Sequence, residues 1–387
     1  MYEIMLDVNG WQGLFDFQTG EALPFENKPY LDLARDISKR HPYPGDLNPN
    51  VFAWTTDFAL DVAKEYNPQL MVLSYANAMI TRINSKMSVV ETRDLERLVL
   101  SEAFRFAKES DYEPIIVSTG NMKKIDLVVN TDDIEGYFNV STDSHIGGIF
   151  GATAKDYDTV QNMIGIKSYM TKSEFVKSHH LHGEYALDRT PDIVLFADDD
   201  FALTNTGNRG TTLEEICERK GTCKAFSRLP GLPNNIFEFR DFIDLQLKSG
   251  KRIAVIVVEG VDDESMPEGS IDVVKESDGI YYSEGVLFYY ALLNGKKFNS
   301  FGMPFIFHNP FIKKKPGARY SYSYIKTDEF QDPIGFNREF KTASVGTRSG
   351  IFHSACMCDY SFECHCRGLA ESGVLTFVNS EKLGSVL

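Results

Sequence analysis

The sequence lacks the features that would place the chain in a membrane or on nucleic acid. Its longest apolar runs, such as Ile253–Val258, are far shorter than the roughly 20 residues that a membrane-spanning helix needs. The first residues, MYEIMLDVNG, carry acidic side chains rather than the basic start of a secretory signal. Basic residues number 40 against 55 acidic ones, and the net charge of −15 repels nucleic acid and anionic membranes. We therefore predict a soluble, cytoplasmic protein that binds neither nucleic acid nor membrane.

The sequence also contains no complete catalytic signature. A Walker loop is missing, which argues against a nucleotide-binding kinase or NTPase. Apolar residues, in contrast, are abundant. The 387 residues are 43% hydrophobic and 12% aromatic, which is enough for a core larger than that of one small domain.

Helical and strand-like patterns alternate along the chain. Helical patterns over 55–66 and 89–109 precede buried strand patterns over 70–75 and 115–118, and the most strand-like segment is 252–258. Such alternation is typical of a parallel sheet with helices on both faces. We predict an α/β fold with a mostly parallel central sheet. Further helices are predicted at Tyr30–Lys39, Thr211–Arg219 and Phe237–Lys248, and further strands at Leu127–Asn130 and Ile193–Phe196.

Two units are expected, with a boundary in the loop 227–235, which holds two prolines and a glycine. Residues 1–230 are predicted to form an α/β domain with the candidate site. Residues 231–387 are predicted to form a second α/β unit with an aromatic-rich region, which either stands alone or completes the same sheet. The aromatic residues that crowd together after Gly279 indicate short antiparallel strands in this C-terminal part.

Carboxylates and histidines supply a candidate metal site. The strand pattern before Asp198 stops at three consecutive aspartates, and ligands bind at the carboxyl ends of parallel strands in open α/β sheets. His180 and His182 would face the same way on a strand and could ligate together. The alternative is an acidic loop and a polar surface turn that face solvent. The candidate metal ligands are Asp143, His145, His180, His182, Asp198 and Asp200.

Two residues are candidate contacts for an anion. Thr119 ends the strand pattern of 115–118 and could instead cap a helix. Arg209 lies in the glycine-containing loop 207–210, whose backbone amides could meet an anion together with its guanidinium.

The segment from Thr55 to Met122 resembles a known family in the order of its motifs. A helix leads through a Pro-containing turn into the strand NPQLMVLSY, and a long helix then leads to a strand ending in STGNM. This order resembles the middle of the alkaline phosphatase superfamily, especially its type I phosphodiesterase and nucleotide pyrophosphatase branch. The resemblance implies metal ligands in Asp-x-x-x-His and Ser-Asp-His-Gly-Met motifs. Here Asn77 and Thr81 stand where the first motif has Asp and His, and 118–122 lacks the ligands of the second.

The order of the strands departs from that family. Its members begin with a strand that ends in Asp-Gly, whereas the matching strand here is Ile253–Gly260, with Glu259 in place of the Asp. Either the topology is rearranged, or the similarity is that of one α/β sheet to another. A superfamily member with these substitutions has degraded or rebuilt metal sites, so a binding protein is as reasonable as a phosphodiesterase.

The C-terminal cysteines suggest a separate, structural metal site. Four thiolates within eleven residues could hold one zinc ion tetrahedrally, although the spacing differs from the usual C-x-x-C knuckles. Ordinary reduced thiols are an equal alternative, and disulfides would require export. The four candidate zinc ligands are Cys356, Cys358, Cys364 and Cys366.

Together these patterns favour a metal-dependent hydrolase or transferase that acts on phosphate or related esters. The expected cofactor is a divalent metal, either zinc, magnesium or manganese, and the expected partner is a small phosphate ester or similar ligand. Two alternatives remain open. One is a non-catalytic ligand-binding or scaffold protein on a degraded phosphatase-like fold. The other is a nucleotide-sugar glycosyltransferase, in which an acidic motif at a strand end holds a cation against the donor diphosphate.

Overall fold

The computed structural model describes most of the chain. The described residues are 2–7, 12–16, 22–23, 29–140, 144–181, 184–204, 213–277, 279–283, 285–297, 340–349, 355–356, 358–365 and 373–379. They form helices α1 (Pro29–Arg40), α2 (Val51–Glu65), α3 (Asn77–Asn84), α4 (Val89–Glu109), α5 (Ala154–Gln161), α6 (Lys172–Ser178), α7 (Glu184–Arg189), α8 (Phe239–Lys248) and α9 (Gly285–Asn294). No helix among these residues is long and apolar enough to cross a membrane.

The strands are numbered in chain order. They are β1 (Tyr2–Asp7), β2 (Gln12–Asp16), β3 (Ala22–Leu23), β4 (Leu70–Ser74), β5 (Glu113–Ser118), β6 (Met122–Lys124), β7 (Leu127–Val128), β8 (Tyr137–Val140), β9 (Ile146–Phe150), β10 (Ile166–Thr171), β11 (Ile193–Ala197), β12 (Phe201–Ala202), β13 (Glu215–Cys217), β14 (Thr222–Ser227), β15 (Ile253–Val258), β16 (Ile271–Val274), β17 (Glu276–Ser277), β18 (Ile280–Tyr281), β19 (Thr342–Gly346), β20 (Tyr360–His365) and β21 (Gly373–Asn379).

One large sheet organises the structure. Its strands follow the order β16-β14-β5-β15-β4-β19-β20-β21-β1-β2-β3. The central five, from β5 to β20, are parallel to one another, and the flanking strands pair antiparallel. Strands from both sides of residue 230 therefore belong to the same sheet. This architecture confirms the predicted α/β fold with a parallel central sheet.

The central strands bury both of their faces. In β15, Val255 and Val257 contribute to a first core with α8 and α9, whereas Ala254 and Ile256 contribute to a second core with α1, α2 and α4. Every residue of β15 is buried, as expected of an uninterrupted apolar strand in the middle of a parallel sheet. The predicted helices on both faces are confirmed.

Local sequence signals explain where the long helix α4 begins. The Ser88 hydroxyl accepts a hydrogen bond from the Glu91 backbone N–H, and the Glu91 carboxylate accepts one from the Ser88 backbone N–H. This capping box satisfies two N–H groups that the first helical turn leaves without partners. The helix runs from Val89 to Glu109, as its periodicity predicts.

A smaller unit is inserted between β5 and β14. Its antiparallel sheet has the order β10-β11-β9-β8 and packs over a separate core that includes Leu195 and Ile149. The strand predicted at Ile193–Phe196 is therefore real, but β11 is antiparallel to both neighbours. The expectation that Asp198 to Asp200 lie at the carboxyl end of a parallel strand was wrong, because a buried apolar strand has the same pattern in either kind of sheet.

Other segments differ from their predictions. Thr211–Arg219 was predicted as a helix, but its described part contains the strand β13, which pairs with β6. The strand predicted at Leu127–Asn130 is limited to two residues. Among the aromatic residues after Gly279, those of Gly285–Asn294 form helix α9 instead of strands, because a segment that is apolar on all sides can be buried as a helix in the first core. Residues 298–339 lie outside the described part of the chain.

Candidate functional site

Polar residues follow the carboxyl ends of three neighbouring parallel strands. Ser118 of β5 pairs with Val258 of β15, so Thr119 and Glu259 come next on the two strands, and Ser74 ends β4. All three polar side chains are buried. This edge is where open α/β sheets bind ligands. We use the term carboxyl-edge site for six residues in two contact groups at these neighbouring strand ends. Lys275 contacts Thr119, and Tyr289 contacts Glu259 and Ser74, with Arg348 also on Glu259.

Glu259 is a completely buried carboxylate with two partners. The Tyr289 hydroxyl donates a hydrogen bond to Oε1, and Arg348 approaches with its Nε at 3.3 Å from Oε1 and its Nη2 at 3.5 Å from Oε2. Burial raises the pKa of Tyr289 well above 10, and the charge of Glu259 raises it further, against the opposing effect of Arg348. Tyr289 therefore stays protonated at neutral pH and holds one carboxylate oxygen as a donor.

The turn after Glu259 depends on a glycine. Gly260 has a φ of +80°, and a Cβ added there would lie 2.5 Å from the Met79 backbone nitrogen. Only glycine combines this backbone conformation with so close an approach to α3. Packing against α3 thus requires glycine directly after Glu259.

Lys275 is a buried amine beneath the end of β5. Its Nζ donates to the Thr119 carbonyl oxygen at 2.7 Å and to the Ser283 hydroxyl at 3.0 Å. The side chain is completely buried, and within the described chain no carboxylate forms an ion pair with it. The Thr119 hydroxyl is also buried and has no hydrogen-bond partner in this part of the structure. A buried ammonium without a carboxylate, next to an unused hydroxyl, is an arrangement suited to an anion.

The two positions that match the first metal motif of the resembled superfamily do not fit a metal centre. Asn77 is buried, its Nδ2 donates at 3.2 Å to both the Tyr43 hydroxyl and the Asp46 carbonyl, and its Oδ1 accepts from the Thr347 hydroxyl at 2.8 Å. Thr81 bonds to the Asn77 backbone at 2.8 Å. Because these groups are neutral and already hydrogen-bonded, they offer no ligand set for a divalent cation.

The structure does not gather the predicted metal ligands that it describes. His145 is buried, with its Nε2 at 3.2 Å from the Cys217 carbonyl. His180 lies in an exposed turn after α6 with a φ of +52°, so the strand expected at this position is absent. Asp200 is exposed and forms an ion pair with Lys123.

The remaining candidates complete this description. Asp198 is partly buried and donates its backbone N–H to the Gly165 carbonyl at 2.9 Å. Asp143, His182 and Arg209 lie outside the described residues. Within those residues, no three His, Cys, Asp or Glu side chains are placed to hold a metal ion. The metal site therefore stays a prediction.

The described cysteines are also dispersed. Cys356 and Cys358 belong to the first core and Cys364 to the second, on the opposite face of the large sheet, and all three are reduced. Burial raises the pKa of Cys364 to about 12, so this thiol is protonated at neutral pH. Cys366 lies outside the described residues. The described thiols are thus placed as core residues, and the zinc site remains a prediction.

Sequence reasoning found one member of the carboxyl-edge site as a candidate functional residue and missed others. Thr119 was a predicted anion contact, and Glu259 was noted at its strand end. Lys275, Tyr289 and Arg348 carry no local signal, because each reaches the site from a segment far away in the sequence. The Lys275 and Thr119 partners are 156 residues apart.

The fold and site define an α/β protein with a polar, buried site at the carboxyl edge of a parallel sheet. No family model and no curated protein matches the chain. Similar solved structures include phosphonoacetate hydrolase from Sinorhizobium meliloti 1021, in complex with phosphonoacetate and with phosphonoformate. Their TM-scores are 0.34 and 0.33, each at 13% identity, and the similarity covers 57% of this chain and 60% of theirs.

The chain spans only about three fifths of the length of phosphonoacetate hydrolase. At 13% identity and TM-scores below 0.5, the likeness assigns neither a function nor a site to this chain.

Proposed function

We propose that the chain binds a phosphate ester or related oxyanion at the carboxyl-edge site and acts on it as a hydrolase or transferase. The observation that carries the proposal is Lys275, a completely buried amine whose described partners are two neutral oxygens. Burying an ammonium ion without a counter-charge is costly, and an anionic ligand at this position would offset that cost.

The surroundings of Lys275 suit an oxyanion. The buried Thr119 hydroxyl is a donor that a non-bridging phosphate oxygen can use. Gly120 follows with a φ of +94°, and a Cβ there would lie 3.1 Å from the Lys275 Nζ. Glycine thus lets the Lys275 ammonium pack closely against the backbone at this position. Arg209, the other predicted anion contact, lies outside the described residues and stays a prediction.

Three residues of the site have a role in this proposal. Lys275 would hold negative charge on the phosphate oxygens, and Thr119 would orient one of them. Glu259 is already bonded to Tyr289 and Arg348, so its role in the proposal is to position Arg348. No nucleophile is assigned.

Metal dependence is a separate proposal. It rests on the predicted ligands Asp143, His145, His180, His182, Asp198 and Asp200. A divalent metal would polarise the ester and lower the pKa of an attacking water. Elemental analysis of the purified protein before and after mild chelation tests it, and we expect about one or two equivalents of metal that chelation removes without a large change in melting temperature.

A non-catalytic binding protein is the second candidate. The Asn77 hydrogen bonds favour it, because they use the position that matches a catalytic metal ligand for packing within the protein. In that case the carboxyl-edge site would bind an anion without turnover.

Binding and turnover can be measured separately. We would titrate the protein with inorganic phosphate by calorimetry and screen p-nitrophenyl phosphate and bis(p-nitrophenyl) phosphate for hydrolysis. Thr119→Val should weaken phosphate binding, whereas Thr159→Val, on helix α5 of the inserted unit, should not. Phosphate binding without turnover of any ester would select the binding protein. A wild-type protein that binds no phosphate would contradict the proposal.

A further inference from the structure

A cleft opens beside the loop that follows β15. It has a volume of about 490 Å³ and lies between the end of α3, the start of α4, the β6–β13 pair and the loop 262–265. This volume is in the range of small-molecule sites. The cleft shares no residue with the carboxyl-edge site.

The floor of the cleft is a largely buried cluster with excess negative charge, in which Asp262 is 29% exposed. The Arg82 guanidinium contacts three carboxylates, Glu215 at 2.5 Å, Asp262 at 2.9 Å and Glu96 at 3.1 Å. The Arg82 and Glu96 side chains are only 3% and 2% exposed. One cation among three carboxylates leaves a formal excess of two negative charges at the floor.

Burial has the largest influence on the ionisation of Glu96. Burial raises its pKa above the usual 4.5, and the charge of Asp262 raises it further, although the Ser265 hydroxyl, the Asp262 backbone N–H and Arg82 act in the opposite direction. A cation brought to the floor would stabilise the ionised carboxylates.

The mouth of the cleft carries the opposite charge. Arg93 and Arg97 lie one helical turn apart on α4, and Lys124 ends β6 on the facing wall. All three are exposed, Glu264 lies beside them, and Arg97 forms an exposed ion pair with Asp94 at 3.1 Å. The mouth therefore has three cations against two carboxylates, a formal excess of one positive charge, in a chain whose net charge is −15.

Charge thus changes sign between the floor and the mouth. Met87 and Val89 line the same cleft and offer an apolar surface. A simple anion would be repelled by the floor, and a simple cation by the mouth. A molecule with a cationic end, an apolar middle and an anionic end matches all three surfaces.

We infer that this cleft binds a small zwitterion, an aliphatic amino acid with its ammonium group toward Glu96, Glu215 and Asp262 and its carboxylate toward Arg93, Arg97 and Lys124. The ammonium would balance the excess charge of the floor, and the carboxylate would bind the exposed cations of the mouth. The methylene chain between them would cover Met87 and Val89. This inference does not depend on the proposed phosphate site.

The test compares ligands of equal length and different charge. The full chain would be titrated by calorimetry with 6-aminohexanoate, hexanoate and hexylamine, and with 4-aminobutanoate as a shorter zwitterion. We expect at least one zwitterion to bind at least tenfold more tightly than hexanoate and hexylamine. Equal affinities for a zwitterion and a singly charged analogue, or no binding of any probe at millimolar concentration, would overturn the inference.

Surface variants test the orientation of the ligand. The double variant Arg93→Gln/Arg97→Gln should weaken zwitterion binding at least tenfold and leave hexylamine unchanged or slightly stronger, because only the mouth loses charge. The control Lys64→Gln/Lys108→Gln removes two exposed cations elsewhere and should bind as the wild type does. A loss of affinity of the same size in both double variants would refute the assigned orientation, since it would reflect net charge alone.

Discussion

Replacing Lys275 with methionine tests whether its charge serves a ligand or the fold. The substitution keeps a long, flexible side chain and removes the ammonium, whose described partners are the Thr119 carbonyl and the Ser283 hydroxyl. If Lys275 belonged to a structural ion pair, removing its charge would destabilise the protein. If Lys275 instead binds an anion, replacing it should change the stability of the ligand-free protein little.

The magnitude follows from opposing terms. Removing the ammonium forfeits two hydrogen bonds to a charged group, each contributing about 1.5–3 kcal/mol. It also removes the desolvation penalty of a completely buried charge, which is several kcal/mol in real proteins. We therefore expect Lys275→Met to change the free energy of unfolding by no more than about 2 kcal/mol without anion, whereas breaking a buried ion pair costs roughly 3–5 kcal/mol.

The ligand effect should be larger and specific. Phosphate at about 100 times its Kd would stabilise the wild type by about 2.7 kcal/mol. Lys275→Met should lose this gain, and Lys108→Met, on the exposed surface of α4, should keep it. Urea unfolding followed by tryptophan fluorescence, with and without phosphate at matched ionic strength, measures both effects. Equal stabilisation of Lys275→Met and wild type by phosphate would refute the reasoning, and so would a ligand-free loss of about 3–5 kcal/mol.

Three further predictions concern the fold. Arg82→Leu should destabilise by about 3–5 kcal/mol, because it leaves buried carboxylates unpaired, whereas Arg97→Leu, 76% exposed, should stay within about 0.5 kcal/mol in urea unfolding. Gly260→Ala should lower the melting temperature more than Gly269→Ala, since both have positive φ but only Gly260 is crowded. Burial opposes ionisation of Asp156, but backbone hydrogen bonds outweigh it and lower its pKa below 3.8, so its stabilisation is present above that pH and is lost as pH falls further. In Asp156→Asn, the urea midpoint of unfolding should fall less steeply as pH decreases. The same pH dependence in variant and wild type would contradict the role given to Asp156.

The sequence is informative where the structure depends on neighbouring residues. Helix α4 begins at Val89 because Ser88 and Glu91 form a capping box, and its periodicity predicts both ends correctly. The apolar strands β4, β5 and β15 are also predicted within two residues. Each of these signals is contained within about twenty residues of chain.

Pairing partners were harder to predict. The segment Ile193–Ala197 has the apolar composition of a buried parallel strand, yet it pairs antiparallel on both sides within the inserted unit. Apolar runs report burial and do not report strand direction. Asp198 and Asp200 were predicted as metal ligands because their strand was expected to be parallel, so the wrong strand direction also weakens that prediction.

The carboxyl-edge site shows why its chemistry could not be predicted from motifs. Lys275 follows β16 at one side of the sheet, Tyr289 lies on α9 and Arg348 follows β19, so only the folded sheet brings them to Thr119 and Glu259. No spacing rule relates residues that approach from separate elements. A motif scan finds the strand ends but misses the residues from distant segments that contact them.

The charge at this edge bears on whether phosphate binding here needs a metal ion. Phosphate binding requires positive charge, which metal ions supply in many phosphate-ester enzymes. Here the position of the first motif holds the neutral, hydrogen-bonded Asn77, while Lys275 and Arg348 bring two cationic side chains to neighbouring strand ends. Arg348 is balanced by Glu259, whereas no carboxylate of the described chain pairs with Lys275. If the proposal holds, Lys275 supplies the unbalanced charge, and phosphate affinity should persist after chelation.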